Sequence, residues 1–136
     1  MSEQLPQFQA LWLNINGINT NKANASFSLL LRSFIRSKYS ILFLQEPRLK
    51  DQGAGALEKL CNWPNSKVVG HFTSNTRGNG GVATIAKKQF LDSTQNYVVT
   101  EVHDDECQHI TFSLGSTLFS FANVHMSQNG SLRGSL

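Results

Sequence analysis

The chain has 136 residues, 40% of them hydrophobic and 15% charged, with 12 Lys+Arg against 9 Asp+Glu for a formal charge of +3. That length holds one domain, and the apolar share excludes a disordered or fibrous chain. The basic excess is compatible with a polyanionic partner without requiring one, because no polybasic tract concentrates it.

Residues 8–15, FQALWLNI, form an almost unbroken run of large apolar side chains, the pattern of a strand covered on both faces. The turn cluster NGINTN ends it. Phe27, Leu30, Leu31, Phe34 and Ile35 then recur at helical spacing, which predicts a helix over 24–38 with Asn24 or Ser26 as N-cap. A second apolar run, YSILFLQE at 39–46, stops at Pro47, so strand, helix and strand are expected to form a right-handed parallel crossover. After Gly53 and Gly55 a short helix is expected around 56–60, followed by strands at 68–72, 81–86, 96–103, 109–114 and 117–125. Their spacing, with Gly115-Ser116 as a tight turn, predicts antiparallel hairpins. The tail at 127–136 has no period and reads as loop.

The fold class is α/β (α+β), a mixed sheet opened by a β-α-β unit. Such a sheet needs both faces covered, and one strong helix with one weak one is too little cover, so a partner chain or more of this chain is expected to supply the rest. No apolar run reaches the roughly eighteen residues of a membrane span, and the polar start MSEQLPQFQ is no secretory signal. A nuclear or cytoplasmic protein without a membrane partner is expected. Cys61 and Cys107 lack CxxC spacing and read as reduced fillers.

Polar residues that end buried strands are the candidates for chemistry, since open α/β sheets bind ligands there. Asn14 and Asn16 end the first strand and Gln45-Glu46 the second. If the two strands are parallel neighbours, the Glu46 carboxylate meets the Asn14 and Asn16 amides, a hard-oxygen set suited to Mg²⁺. The alternative is that these residues only cap strands and cover turn backbone. His125, where LFSFANV gives way to a polar loop, is either a hydrogen-bonded structural histidine or a group that contacts phosphate or donates a proton. HDDECQH at 103–109 reads as solvated surface, and RGNGG at 77–81 as a turn or close-approach loop without the GK[ST] of a phosphate loop.

In order, LWLNINGIN (11–19), ILFLQEPRLKD (41–51), GNGGVATIA (78–86) and FSFANVHMS (119–127) resemble the first half of the endonuclease/exonuclease/phosphatase superfamily. LNINGIN and LQEPRL are most similar to endonuclease domains of LINE-type retrotransposons. The resemblance implies a four-layered α/β sandwich and a Mg²⁺- (or Mn²⁺-) dependent phosphodiesterase acting on DNA. It implies a catalytic set of Asn14, Glu46 and His125, with Glu46 and Asn16 at the metal and Arg48, Arg77 and Asn79 binding substrate. Asn16 stands where many members have Asp, and Ser127-Gln128 where the nuclease pattern is Pro-Asn. The family's later D-x-N and S-D-H segments, which position the attacking water and supply the catalytic His with its Asp, do not occur in these 136 residues. Residues 1–136 are therefore expected to be the N-terminal part of one such domain, roughly one sheet and its outer helix, with the C-terminal half absent. A DNA endonuclease that nicks target DNA for a retroelement leads. A phosphatase or lipid phosphodiesterase of the same fold, or a non-catalytic truncated remnant, is the alternative.

Overall fold

A computed structural model describes residues 7–18, 25–102 and 106–125. The chain runs β1 (Ala10–Asn14), α1 (Ala25–Arg36), β2 (Ile41–Gln45), α2 (Asp51–Cys61), β3 (Val68–Phe72), β4 (Val82–Lys87), α3 (Lys88–Leu91), β5 (Thr94–Val102), β6 (Cys107–Leu114) and β7 (Thr117–Val124). The strands divide into a four-stranded sheet, ordered β1-β2-β4-β3, and a three-stranded sheet, β5-β6-β7. β1 and β2 are parallel, as the crossover requires, and the remaining pairs are antiparallel. The mixed α+β class and the opening β-α-β unit are as the sequence indicates.

Alternation along β2 divides the molecule into two cores. Leu42 and Leu44 face α1 and α2, meeting Phe27, Leu31 and Phe34 from the first helix and Ala54, Leu57 and Cys61 from the second. Ile41 and Phe43 face the other way, into Ile110 and Phe112 of β6, and these four side chains are fully buried. Each such burial is worth about 1.5–3 kcal/mol. Phe8 closes one end of this second core with ring centroids 4.9–5.7 Å from Phe90, Phe112, Phe119 and Phe121. Among the described residues the layers are therefore helices, sheet, sheet.

This arrangement corrects the expectation of one sheet with an open inner face. VATIAK of β4 and TLFSFANV of β7 lie in opposite sheets, and Ala86 shares a core with Phe112 of β6 and Phe119 and Phe121 of β7, while Ala83 and Ile85 are buried on the helical side. The sequence shows which residues alternate, but two strands of similar period do not reveal whether they are neighbours in one sheet or face each other across two.

Smaller differences have local causes. α2 begins at Asp51 rather than near 56, because packing of Ala54, Leu57 and Cys61 outweighs the helix cost of Gly53 and Gly55. At its C-terminal end, Asn62 exchanges a reciprocal pair of hydrogen bonds with the Gly70 backbone at 2.8 and 2.9 Å, and Glu58 accepts from Phe72 N at 3.0 Å, so α2 covers the edge of β3. Ser26 lies within α1, and Asn24 is outside the described residues. The one-turn helix α3 was not expected. In the 103–109 segment, residues 103–105 lie outside the description and His109 is exposed, but Gln108 is fully buried and bonded to Thr84, not solvated. Cys61 and Cys107 are free. The 127–136 tail, Ser127 and Gln128 included, is outside the described residues. None of the described helices is long and apolar enough to cross a membrane.

Candidate functional site

The C-terminal ends of β1 and β2 and the N-terminal end of β4 meet at one edge of the first sheet, because β1 and β2 run together and β4 runs against them. Beyond the strands the backbone ladder continues. Ile15 N donates to Gln45 O (3.0 Å), Gly17 N to Glu46 O (2.6 Å), Ile18 N to Pro47 O (2.9 Å), Glu46 N to Gly81 O (3.0 Å) and Arg48 N to Gly80 O (2.9 Å). This zipper holds Asn16, Glu46 and Arg48 at φ of 51°, 58° and 54°. Left-handed backbone is unusual for non-glycine residues, and three such residues at one edge concentrate strain where polar side chains converge.

Glu46 is the centre. Its Oε1 lies 2.7 Å from His125 Nε2, across 79 residues of sequence, and its Oε2 is 3.6 Å from Arg48 Nη2. The Asn14 side chain also favours the charged form of the carboxylate. The His125 hydrogen bond is the largest influence on Glu46 and, with Asn14 and the nearby positive charge, outweighs desolvation and holds its carboxyl below the usual range. Because a carboxylate only accepts, His125 Nε2 carries the proton in this pair. His125 Nδ1 is buried without a partner among the described residues. Its ring packs against Gly80, where a Cβ would sit 3.2 Å from Nδ1.

The structure thus brings Asn14, Glu46, Arg48 and His125 together. Asn16 joins through its backbone, donating N–H to Asn14 Oδ1 at 3.0 Å, while its side chain is exposed. Arg77 and Asn79 are exposed on the loop that precedes Gly80. Asn75 folds that loop, accepting from Asn79 N at 3.1 Å and donating to Asn79 O at 2.7 Å. The loop lies beside the cluster through Gly80, with its two candidate side chains at the rim. Beneath the cluster lie Asn123, which sequence reasoning missed, and Gln45, which it placed at the end of the second strand. Asn123 is fully buried and donates to Leu44 O (3.3 Å) and Ala83 O (2.9 Å), and Gln45 donates to Val124 O (2.9 Å).

The donors suit a hydrated hard cation. Glu46 supplies one carboxylate, and the Asn14 amide oxygen is a second hard donor already accepting one N–H. No cluster of three His, Cys, Asp or Glu exists among the described residues, which excludes an all-carboxylate cage there. Mg²⁺ commonly takes one or two protein carboxylates and keeps water for the rest.

No protein-family model matches the chain, and no curated protein matches it. Among solved structures it is similar to the AP endonuclease LMAP from Leishmania major, with a TM-score of 0.68 and 19% identity, over 94% of this chain and 43% of that one. It is also similar to the 3′ phosphatase NExo (D146N) from Neisseria bound to a product DNA hairpin, with a TM-score of 0.48 and 18% identity, over 79% of this chain and 38% of that one. The chain shares the fold of the first of these, and it spans less than half the length of either structure.

Proposed function

We propose that this chain carries the Glu46 side of a metal-dependent phosphodiesterase site, and that the working protein is a DNA endonuclease of a LINE-type retroelement. The observation that carries the reading is the 2.7 Å pairing of Glu46 with His125 at the strand ends of an AP-endonuclease-like fold. LNINGIN and LQEPRL supply the retroelement assignment.

In this reading Glu46 is the anionic metal ligand, with the amide oxygen of Asn14 or Asn16 completing the protein's share. These residues would hold a divalent ion, which would supply Lewis acidity toward a phosphoryl oxygen. Arg48, beside Glu46, and Arg77 and Asn79, on the rim loop, bind the phosphate backbone by charge and hydrogen bonding. The Nε2–H of His125, held by Glu46 until substrate arrives, is the donor a scissile phosphate or leaving oxygen takes over. The general base for the attacking water is not in this set, and we assign it to the D-x-N and S-D-H segments of a complementary half.

Plasmid nicking in Mg²⁺ tests the reading. The coding sequence is first read beyond residue 136 for those two segments, and the extended chain is assayed beside this one. The extended chain is expected to nick and its Glu46→Ala variant to lose activity by orders of magnitude, while the 136-residue chain alone stays near background. Nicking unaffected by Glu46→Ala overturns the site. The N-x-H context of His125 favours a phosphatase or lipid phosphodiesterase as second reading, and release of phosphate from a monoester or lipid without DNA nicking would select it.

A further inference from the structure

The side chains that tie the two sheets together below the site are arranged reciprocally. β2 sends the amide of Gln45 across to Val124 O, and β7 sends the amide of Asn123 back to Leu44 O and on to Ala83 O of β4. The partners are consecutive residues on each strand, Leu44-Gln45 and Asn123-Val124, and the next residue in each case is a member of the site, Glu46 and His125. Facing sheets are ordinarily joined by apolar contact alone, whose side chains can slide by fractions of an ångström; directional hydrogen bonds to backbone fix the offset between strands.

Asn123 occupies an inward position in register with Phe119 and Phe121, where an apolar residue would bury cleanly. It is fully buried and its Oδ1 has no partner among the described residues, an arrangement that costs stability. A polar group at that position therefore earns nothing as core. Its donated bonds reach two of the other strands that lead to the site: β2, which leads to Glu46, and β4, which follows Gly80.

We propose that Gln45 and Asn123 form a reciprocal amide clamp whose role is to position His125 against Glu46 across the sandwich. Both are positioning residues acting through the pair. The inference rests on the phosphodiesterase reading only in taking Glu46 and His125 as the working centre.

The test reads geometry without metal or substrate, so that its outcome is separate from any nicking result. A 2.7 Å bond from Nε2–H to a carboxylate gives a downfield, slowly exchanging imidazole proton in the NMR spectrum of the ¹⁵N-labelled chain. Asn123→Leu keeps the volume and removes the donor. Thr84→Val is the control, deleting a different buried bond between the sheets, Thr84 Oγ1 to Gln108 Oε1 at 2.7 Å. Loss of the imidazole signal is expected in Asn123→Leu and its retention in Thr84→Val. Gln45→Met, at a half-buried position, is expected to broaden the signal and carries the test if Asn123→Leu does not fold. A folded Asn123→Leu or Gln45→Met with the wild-type signal overturns the clamp. A clamp upheld beside an extended chain that fails to nick would retire the DNA-endonuclease reading alone.

Discussion

Gly80 has a φ of +56°, and a Cβ added there would meet His125 Nδ1 at 3.2 Å and Cε1 at 3.4 Å. Both the backbone and the ring therefore resist a side chain. Gly80→Ala is expected to lower stability by about 1–2 kcal/mol and to displace the imidazole from Glu46. Gly55, on α2 with nothing within 4 Å of its Cβ position, is the counterpart, and Gly55→Ala is expected to stabilise by about 0.5–1 kcal/mol. Urea midpoints of the two variants check both signs. The Glu46 carboxyl, held low chiefly by His125, with Arg48 also facing it, contributes stability present above its unfolded-state pKa. That contribution is lost as pH falls through the lower folded value. The stability gap between wild type and Glu46→Gln is thus expected to shrink as pH falls below about 4.3. A gap that instead keeps growing as pH falls below about 4.3 contradicts the pairing. Screening at this partly exposed site keeps the gap small. At this scale the sequence was informative about Asn14, Glu46 and His125, each the polar end of an apolar run. It was silent on the left-handed backbone at Glu46 and Arg48, which the ladder between loops imposes and neither residue type announces; only Asn16, at the head of the NGINTN turn, is of a type common there.

Strand and helix periodicity located every element but α3, whose four residues are too few to show a period. What periodicity did not convey was partnership between elements. FSFANV alternates Phe119, Phe121 and Asn123 onto one face, so the inward place of Asn123 was legible once the strand was drawn, and the amide there was the available signal of a clamp. Gln108 is the same kind of signal on β6, where QHITF places it in line with Ile110 and Phe112. Its Oε1 accepts from Thr84 Oγ1 at 2.7 Å and its Nε2 donates to His71 O at 3.2 Å, joining β6 to β4 and β3. Thr84→Val removes the hydroxyl and strands the Gln108 oxygen in the core. The expected cost is about 1–3 kcal/mol, and the double variant Thr84→Val/Gln108→Leu is expected to recover part of it by leaving one fewer buried polar group. Chemical denaturation of the four members of that cycle measures the coupling. Additive losses would mean that the Thr84 hydroxyl is satisfied elsewhere.

The two cores share one sheet. β2 gives Leu42 and Leu44 to the helical side and Ile41 and Phe43 to the other, and β4 likewise divides Ile85 from Ala86. A molecule in which a single exposed face was left open would be expected to aggregate or to hold only loose tertiary packing. Here the inner face of the first sheet is closed by β6 and β7, and the apolar side chains left exposed on the second sheet are few: Val98 and Val102 on β5 and Leu118 on β7. Neither core can persist without the strands that build the other, since unfolding β2 removes four fully or almost fully buried side chains, two from each. The expected consequence is one cooperative thermal transition, with calorimetric and van't Hoff enthalpies in agreement and near-ultraviolet and far-ultraviolet signals lost together. Two separated transitions would show instead that β5, β6 and β7 detach as a unit, with the Phe8 and Phe112 ring cluster melting before α1 and α2 leave their sheet. Phe112→Ala separates the alternatives, because its predicted cost of about 3–5 kcal/mol falls on the whole transition if the cores are coupled and on the first of two steps if they are not.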